Sequence, residues 1–274
     1  MMGSLEGRVA FITGAARGQG RAHAVRLARE GVDIIGVDIC ACIATMDYPN
    51  ATEADLAETV RLVEAQDRRM LGLQADVRDF QGLRKAFDAG FAELGRLDII
   101  IANAGIHRFA AEEGDGFVEI WRDIVDVNMT GPFHTVRAGL QAMIDGGRGG
   151  SIVITSSTAG IKGVGTPNAA AQAYTAAKRG LVGYMQTLAN DLAPHSIRVN
   201  TIHPTGVVSG MTQNEALAKR AAEAGSEISA MQNALPISIL QPEDIANAVA
   251  WLVSDEAAYI TGIQLPLDAG FSVR

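Results

Sequence analysis

Seven short apolar segments alternate with segments of helical spacing along this chain of 274 residues. Short apolar runs linked by helices are typical of parallel strands that are buried on both faces of a sheet. The pattern therefore predicts an α/β fold, a three-layer α/β/α sandwich around a seven-stranded, parallel, doubly wound sheet, in one domain over residues 1–274. The predicted strands are 8–13, 34–37, 71–75, 97–102, 151–155, 197–202 and 263–267, and the predicted helices are 18–30, 52–66, 79–94, 117–128, 130–145, 170–193 and 242–254.

Two segments are longer than this alternation needs. Asp38 and Asp76 lie 38 positions apart, so residues 40–50 are predicted to form an insertion ahead of the next helix. The segment 207–241 favours a helical substrate lid, although an ordinary amphipathic helix packed on the sheet is nearly as good an interpretation. Its apolar residues include Met211, Ala216, Leu217, Met231 and Leu235.

Charge and composition exclude several classes of partner. The chain carries 31 acidic and 23 basic side chains, a net charge of −8, and such a surface disfavours nucleic acid. No stretch reaches the roughly 18 consecutive apolar residues of a membrane span, and the N-terminus lacks an apolar signal segment, so we expect a cytoplasmic protein without a membrane partner. Cys40 and Cys42 have no further cysteines to complete a zinc set, and no metal is expected.

A glycine-rich turn follows the first predicted strand and opens the first predicted helix. Residues 13–20 read Thr-Gly-Ala-Ala-Arg-Gly-Gln-Gly, which suits the close approach of a pyrophosphate to a helix N-terminus, although a tight connection alone would also explain it. Asp38 ends the next strand, where a carboxylate binds the ribose hydroxyls and repels a 2′-phosphate. A Rossmann-type site for NAD rather than NADP is therefore predicted, even though Arg17 could offer its charge to a phosphate.

Polar residues follow two further strands at the same sheet edge. Asp76-Val77 ends the third predicted strand and Asn103-Ala104-Gly105 ends the fourth. Ligands of open α/β sheets bind at the carboxyl ends of the strands. These residues are expected to flank the adenine, while capping of the strand ends is an equally good interpretation for each one taken alone.

Tyr174 and Lys178 are four residues apart in a predicted helix, which places them on one face. A phenol near an ammonium group has a lowered pKa and suits general acid/base transfer with an alcohol. Ser157 follows a buried strand and is the candidate for polarising the substrate oxygen. Asn128 lies between two predicted helices, where a helix cap is the simpler interpretation.

Together these motifs resemble the short-chain dehydrogenase/reductase family over residues 9–271. The family pattern Thr-Gly-x-x-x-Gly-x-Gly matches 13–20, Asn-Ala-Gly matches 103–105 and Tyr-x-x-x-Lys matches 174–178. The resemblance implies that Tyr174 is the acid/base and that Lys178 holds the nicotinamide ribose and lowers the Tyr174 pKa. It further implies that Ser157 orients the substrate oxygen and that Asn128 supports a proton-relay water.

The same resemblance implies the residues that bind the dinucleotide. Where the family reads Pro-Gly-x-Val-x-Thr, this chain has Pro204-Thr205-Gly206-Val207-Val208-Ser209, and Val207 is expected to meet the carboxamide. The implied NAD-binding set is Gly14, Arg17, Gly18, Gln19, Gly20, Asp38, Ile39, Cys40, Asp76, Val77, Asn103, Ala104, Gly105, Tyr174, Lys178, Pro204 and Val207.

A closer resemblance is to the mycofactocin-coupled, carveol-dehydrogenase-like subgroup. It is carried by residues 18–24, 37–40, 48–60 and 203–207. For this subgroup the resemblance implies an NAD that recycles in place and passes its hydride to a peptide-derived carrier, mycofactocin. It also implies a homotetramer, with residues 117–145 and 170–193 in a dimer contact. The insertion at 40–50 is expected to fold over the NAD and slow its release.

The predicted function is an NAD-dependent oxidoreductase that interconverts a hydrophobic secondary alcohol and its ketone. A conventional family member with exchanging NAD, such as a 3-oxoacyl reductase-like enzyme, is the nearest alternative. A non-catalytic NAD-binding sensor would not need the set of Asn128, Ser157, Tyr174 and Lys178. A methyltransferase-like protein with a similar glycine-rich turn would not need Tyr174 with Lys178.

Overall fold

The computed structural model describes residues 5–110, 116–163, 168–223 and 232–274. In these ranges seven strands form one sheet in the order β3-β2-β1-β4-β5-β6-β7, with all neighbours parallel. The strands are β1 (Val9–Thr13), β2 (Asp33–Asp38), β3 (Met70–Gln74), β4 (Ile99–Ala102), β5 (Gly150–Thr155), β6 (Ile197–Pro204) and β7 (Gln264–Leu267). The helices are α1 (Gly18–Ala28), α2 (Glu53–Glu64), α3 (Phe80–Leu94), α4 (Phe117–Val125), α5 (Gly131–Gly146), α6 (Ala169–Leu192), α7 (Glu215–Glu223) and α8 (Pro242–Val253). None of the helices in the described ranges has the length and apolar character needed to cross a membrane.

Alternate residues of the strands enter two separate cores. Phe11 of β1 lies in the core that includes side chains of α3, α4, α5 and α6, where its ring packs 5.1 Å from that of Phe87. Ile12, the next residue, lies in the core that includes side chains of α1, α2 and α8. Successive side chains of a strand point to opposite faces, so both faces of the sheet are covered by helices. This confirms the predicted three-layer sandwich with a doubly wound parallel sheet.

The strand order reverses between β1 and β4, which lie next to each other at the centre of the sheet. The connections that leave the carboxyl ends of these two strands diverge, which opens a crevice where ligands of such sheets bind. The glycine-rich turn follows β1 and the Asn103-Ala104-Gly105 segment follows β4. The fold therefore brings two of the sequence motifs to one crevice.

The predicted helices 117–128 and 130–145 are continuous in the structure. A π-helical turn over Asp126–Thr130 joins α4 directly to α5. Such turns widen a helix locally and often mark functional positions. Here the turn carries Asn128, whose side chain is fully buried.

The segment 207–241 is helical only over α7 among the residues that the structure describes. Val207 pairs with Leu240 in a parallel bridge, and the N–H of Leu240 donates to the carbonyl oxygen of Gly206 (2.9 Å). The segment is therefore closed at its base by backbone pairing and is not one continuous helix. Met231 lies outside the described residues, and the role of the segment as a lid stays a prediction.

Candidate active site

The glycine-rich turn packs so closely that two of its positions exclude a side chain. Gly14 has a φ of +70°, and a Cβ there would lie 2.8 Å from the Cα of Ala104. A Cβ on Gly20 would lie 1.9 Å from the carbonyl oxygen of Gly14. Glycine is required at both positions because any other residue would collide with backbone. The turn, α1 and the end of β4 are thereby held in contact.

The N-terminus of α1 meets the cavity at this crevice through Arg17, Gly18 and Gln19. Within the described part of the chain no side chain caps this helix. In the same part, the buried Oε1 of Gln19 has no hydrogen-bond partner. Uncapped N–H groups together with the helix dipole favour an anion, so a phosphate group suits this end of the helix.

Asp38 lies at the end of β2, with its carboxylate almost fully buried. The carboxylate accepts hydrogen bonds from the backbone N–H groups of Ala16 (3.0 Å) and Cys40 (3.3 Å). Burial raises the pKa of Asp38, and these hydrogen bonds act against that rise. The side chain lines the cavity and is placed to accept hydrogen bonds from two neighbouring hydroxyl groups.

The residues that end β3 and β4 both line the cavity and hold local structure. Asp76 pairs with the Arg78 guanidinium at 2.7 Å and accepts a hydrogen bond from the Arg78 N–H. The Asn103 amide donates to the carbonyl oxygens of Thr13 (3.2 Å) and Gly14 (3.3 Å). Asp76 and Asn103 therefore both stabilise the backbone after their strands and line the cavity.

Tyr174 and Ser157 meet beside the carboxyl end of β5. A hydrogen bond joins their side chains, and the Ser157 hydroxyl oxygen also accepts from the N–H of Ala159 (3.2 Å). The Ser157 carbonyl oxygen lies 2.8 Å from Nδ1 of the buried His203. Tyr174 stands on α6, whose first turn is capped by Asn168 through a hydrogen bond from the N–H of Ala171 (2.8 Å). These contacts fix the hydroxyl of Ser157 next to the phenol.

Lys178 lies one turn along α6 from Tyr174, as the spacing predicts. Its Nζ donates to the carbonyl oxygen of Thr155 (2.8 Å) and stands 5.5 Å from the centroid of the Tyr174 ring. Burial lowers the pKa of Lys178 to about 7. The predicted lowering of the Tyr174 pKa is wrong for this structure, because burial raises that pKa and only the Ser157 hydrogen bond opposes it.

Asn128 binds backbone and caps no helix. Its Oδ1 accepts from the N–H of Ile106 (3.2 Å), and its Nδ2 donates to the carbonyl oxygens of Ile106 (2.9 Å) and Ile124 (2.8 Å). The side chain therefore anchors the segment after β4 to the π-helical turn. A Cβ on Gly105 would lie 3.0 Å from this Oδ1 and 3.6 Å from Nζ of Lys178. Asn128 thus lies close to the lysine but behind the cavity wall.

One cavity brings most of the predicted residues together. Three predicted residues, Gly20, Cys40 and Asn128, do not lie on its wall. Gly20 packs against the carbonyl oxygen of Gly14, and Cys40 donates its N–H to Asp38. The Asn128 side chain is hydrogen-bonded to backbone groups. Burial raises the pKa of the Cys40 thiol to about 11. The predicted residues on the wall are Gly14, Arg17, Gly18, Gln19, Asp38, Ile39, Asp76, Val77, Asn103, Ala104, Gly105, Ser157, Tyr174, Lys178, Pro204 and Val207.

The cavity wall also includes residues of two segments whose general position, but not whose individual contacts, the sequence predicts. The segment 40–50 and its neighbour contribute Ile43, Tyr48, Asn50 and Ala51. The residues Ser209–Thr212, after β6, add a second irregular stretch of wall. The sequence predicts that the insertion covers the NAD and that 207–241 covers the substrate, but neither segment carries a repeating pattern that would identify its wall residues.

The insertion at 40–50 is tied to both sides of the crevice. The guanidinium of Arg17 donates to the carbonyl oxygen of Pro49 (2.6 Å) on one side. On the other side, Arg108 donates to the carbonyl oxygen of Thr45 (2.8 Å). Tyr48 is buried in between, and burial raises its pKa to about 12. The insertion therefore spans from the glycine-rich turn to the segment after β4.

The site has the character of a cofactor and proton-transfer site built from side chains and backbone. In the ranges that the structure describes, no group of three or more His, Cys, Asp or Glu side chains is arranged to hold a metal ion. Its reactive groups are a phenol, a hydroxyl and an amine within one turn of α6 and the end of β5. This arrangement is suited to moving a proton at an oxygen atom.

Comparisons with known proteins agree with this geometry. The sequence profile of the short chain dehydrogenase family matches residues 8–221. An uncharacterized oxidoreductase of Mycobacterium tuberculosis is 53% identical over 268 residues, 97% of each chain. The (-)-trans-carveol dehydrogenase of Rhodococcus erythropolis is 44% identical over 281 aligned positions, covering 100% of each chain. A crystal structure of carveol dehydrogenase from Mycobacterium avium in complex with NAD has a TM-score of 0.90 and 47% identity, covering 99% of this chain and 100% of that one.

Proposed function

This chain belongs to the short-chain dehydrogenase family, and we propose that, as an NAD-dependent oxidoreductase of that family, it interconverts a hydrophobic secondary alcohol and its ketone. One observation carries the proposal. Ser157, Tyr174 and Lys178 line the same cavity as the glycine-rich turn and Asp38. Dinucleotide binding and proton transfer are thereby combined at one crevice.

The residues on the cavity wall fit NAD. The turn at Gly14 leaves no room for a Cβ and offers bare backbone, and the adjoining end of α1 is uncapped within the described residues. Gln19 brings a buried oxygen that has no partner there. These groups would hold the pyrophosphate, while the Asp38 carboxylate would bind the adenosine ribose and Lys178 the nicotinamide ribose.

In alcohol oxidation, the bound NAD supplies the acceptor for the hydride that leaves the carbinol carbon. Tyr174, in its ionised form, accepts the proton of the alcohol hydroxyl at its phenol oxygen. Ser157 donates a hydrogen bond to the substrate oxygen and holds it beside the phenol. Lys178, when charged, stabilises the phenolate, and in ketone reduction Tyr174 returns the proton to the carbonyl oxygen.

Replacing the phenol tests this assignment. Tyr174→Phe should lower kcat by about 100-fold or more, because a positioned general acid/base contributes about 10²–10⁴-fold. The ring remains, so the NAD content per subunit should not change. Tyr259→Phe is the matched control, since Tyr259 is fully exposed and should retain wild-type turnover. Full turnover in Tyr174→Phe would refute the proposed chemistry.

We further propose that the NAD is held tightly and is reoxidised in place by mycofactocin. The insertion supports this, because it is tied across the cavity at Pro49 and Thr45. The apolar wall residues Ile43, Ile106 and Met211 suit a hydrophobic substrate such as a terpenoid alcohol. The proposed substrate class is also that of the Rhodococcus relative, which is named as a (-)-trans-carveol dehydrogenase.

Retention of NAD is tested by exhaustive desalting, denaturation and mass spectrometry of the released fraction. About one NAD per subunit is expected, followed by turnover of apolar secondary alcohols with mycofactocin or an artificial electron acceptor. Recovery of little or no NAD, together with turnover in free NAD, would contradict retention. That result would favour a conventional exchanging enzyme of the 3-oxoacyl reductase-like type.

We also propose a cytoplasmic homotetramer. Both cysteines of the chain, Cys40 and Cys42, are free thiols, in keeping with a reducing compartment. Large apolar side chains are exposed on α4 and α5, at Phe117, Trp121 and Phe133. Exposed apolar patches of this kind mark interaction surfaces. Cell fractionation tests the location, and light scattering of the purified protein tests the assembly.

A further inference from the structure

The ring of Tyr174 stacks on the imidazole of His107. The ring centroids lie 4.7 Å apart and the planes are inclined by 26°. His107 also stacks on Phe109, with centroids 4.6 Å apart and planes inclined by 15°. Near-parallel rings at these distances attract each other beyond their burial alone. These three side chains, called the aromatic stack here, link α6 to the segment that follows β4.

The insertion holds the backbone that carries two rings of the aromatic stack. One oxygen of the Asp47 carboxylate accepts hydrogen bonds from the N–H groups of Phe109 (2.8 Å) and Ala110 (2.6 Å). The Tyr48 hydroxyl oxygen accepts from the N–H of His107 (3.4 Å). The position of the imidazole is therefore set by neighbours some 60 residues away in sequence, and the phenol ring rests against it.

The imidazole acts here as an uncharged ring. Burial lowers the pKa of His107 to about 4, and its buried Nδ1 has no hydrogen-bond partner among the described residues. Lys178 also approaches the Tyr174 ring, with its Nζ 5.5 Å from the centroid. An uncharged imidazole therefore acts on the phenol through ring contact and not through charge.

We propose that His107 is a positioning residue for Tyr174. Through ring stacking, the imidazole transmits the fixed position of the insertion to the phenol. The inference rests on the proposed function, in which Tyr174 is the acid/base. Its consequence is that the insertion serves the proton-transfer step as well as cofactor binding. A displacement of about 1 Å at a reacting group can cost about 100-fold in rate, so a loose phenol ring should lower kcat.

The test compares His107→Ala, which removes the stack, with His107→Phe, which keeps a ring in place. His107→Ala should lower kcat by about tenfold or more while the alcohol KM changes by less than about threefold and the NAD content stays the same. His107→Phe should restore kcat to within about threefold of the wild type. His195→Ala is the control, because His195 is exposed outside the cavity.

A second readout does not depend on turnover. In protein carrying labelled tyrosine, the ring resonance of Tyr174 is identified by its loss in Tyr174→Phe, and its chemical shift reports the ring current of the stacked neighbour. The shift should change in His107→Ala and be retained in His107→Phe. Failure of the wild type to oxidise any alcohol would refute the proposed function, while the shift would still show whether the stack holds the phenol.

Three results would overturn the positioning role. The first is a wild-type kcat and an unchanged Tyr174 shift in His107→Ala. The second is a changed shift with a wild-type kcat, because the ring would then move without consequence for catalysis. The third is an equal loss of kcat in His107→Ala and His107→Phe, which would assign a chemical role to the imidazole nitrogens.

Discussion

His23 is buried completely inside α1, in a position that makes its charge costly. Neither ring nitrogen has a hydrogen-bond partner within the described residues, and burial lowers the pKa of His23 to about 4. An imidazole in the unfolded chain titrates near 6.5. The unfolded state therefore binds the proton first as the pH falls, and the folded state loses stability from pH 6.5 down to about 4.

Replacing His23 by leucine should flatten this part of the pH dependence. Between pH 7 and pH 5 the free energy of unfolding of the wild type should fall by about 2 kcal/mol more than that of His23→Leu, since each pKa unit corresponds to about 1.4 kcal/mol. Urea unfolding at both pH values and one fixed protein concentration measures the difference. His195→Leu, at an exposed position, should follow the wild type. Parallel curves for wild type and His23→Leu would contradict the assignment.

Asp38 should determine the choice between NAD and NADP. Asp38→Asn keeps an oxygen that can accept from the Ala16 N–H but removes the charge that repels a 2′-phosphate. We expect the preference for NAD over NADP to fall by about tenfold or more, the equivalent of about 1.4 kcal/mol. Measured dissociation constants for both dinucleotides test this. Asp76→Asn is the control, because its carboxylate pairs with Arg78, and it should weaken both without changing their ratio.

Residues with a local signature could be predicted, and those with distant partners could not. The spacing of Tyr174 and Lys178 is a property of one helix, and Gly14 is required by one turn, so both follow from the sequence alone. The direction of the Tyr174 pKa does not, because burial depends on elements that close over the ring. His107 carries no pattern at all, since its partners Tyr48 and Tyr174 are 59 and 67 residues away.

At the scale of elements, the seven strands follow from apolar runs that the sheet buries on both faces. The unusual length between β2 and β3 predicts an insertion but not its contacts, because hydrogen bonds such as that from Phe109 to Asp47 join residues 62 positions apart. The π-helical turn at Asp126–Thr130 was also missed. An extra residue within one helical turn leaves the apolar spacing of the flanking helices almost unchanged.

The attachment of the insertion should control how fast NAD leaves. Asp47→Ala removes the acceptor of two backbone hydrogen bonds, from Phe109 and Ala110, each worth about 1 kcal/mol net. We expect NAD release from the purified protein to accelerate by about tenfold, as measured by transfer of NAD to an excess of a scavenging enzyme. Asp145→Ala, at an exposed end of α5, should release NAD at the wild-type rate.

If Asp47→Ala releases NAD at the wild-type rate, deletion of the whole insertion, residues 40–50, shows whether the insertion or only this attachment is dispensable. Deletion of residues 40–50 with a wild-type release rate would show that the insertion does not retain the cofactor. Faster release in the deletion alone would show instead that retention needs the insertion but not this attachment.

At the scale of the whole molecule, several large apolar side chains are exposed along the continuous helix formed by α4 and α5. Phe117 and Trp121 of α4 are 44% and 40% exposed, and Phe133 at the start of α5 is 45% exposed. The Phe133 ring also lies 5.9 Å from that of the half-buried Tyr184 on α6. These exposed side chains, called the α4–α5 patch here, favour burial against a second subunit over exposure to water.

Charge placed in this patch should therefore break the assembly without unfolding the subunit. Trp121→Glu and Phe133→Glu should each shift the light-scattering mass from a tetramer to a smaller species, because a buried, unpaired carboxylate costs several kcal/mol and a symmetric contact contains it twice. Gln81→Glu on α3 adds the same charge at another exposed helix and should leave the mass unchanged. A tetramer that survives both patch substitutions would place the subunit contacts elsewhere. A wild-type mass smaller than that of four subunits would contradict the proposed tetramer.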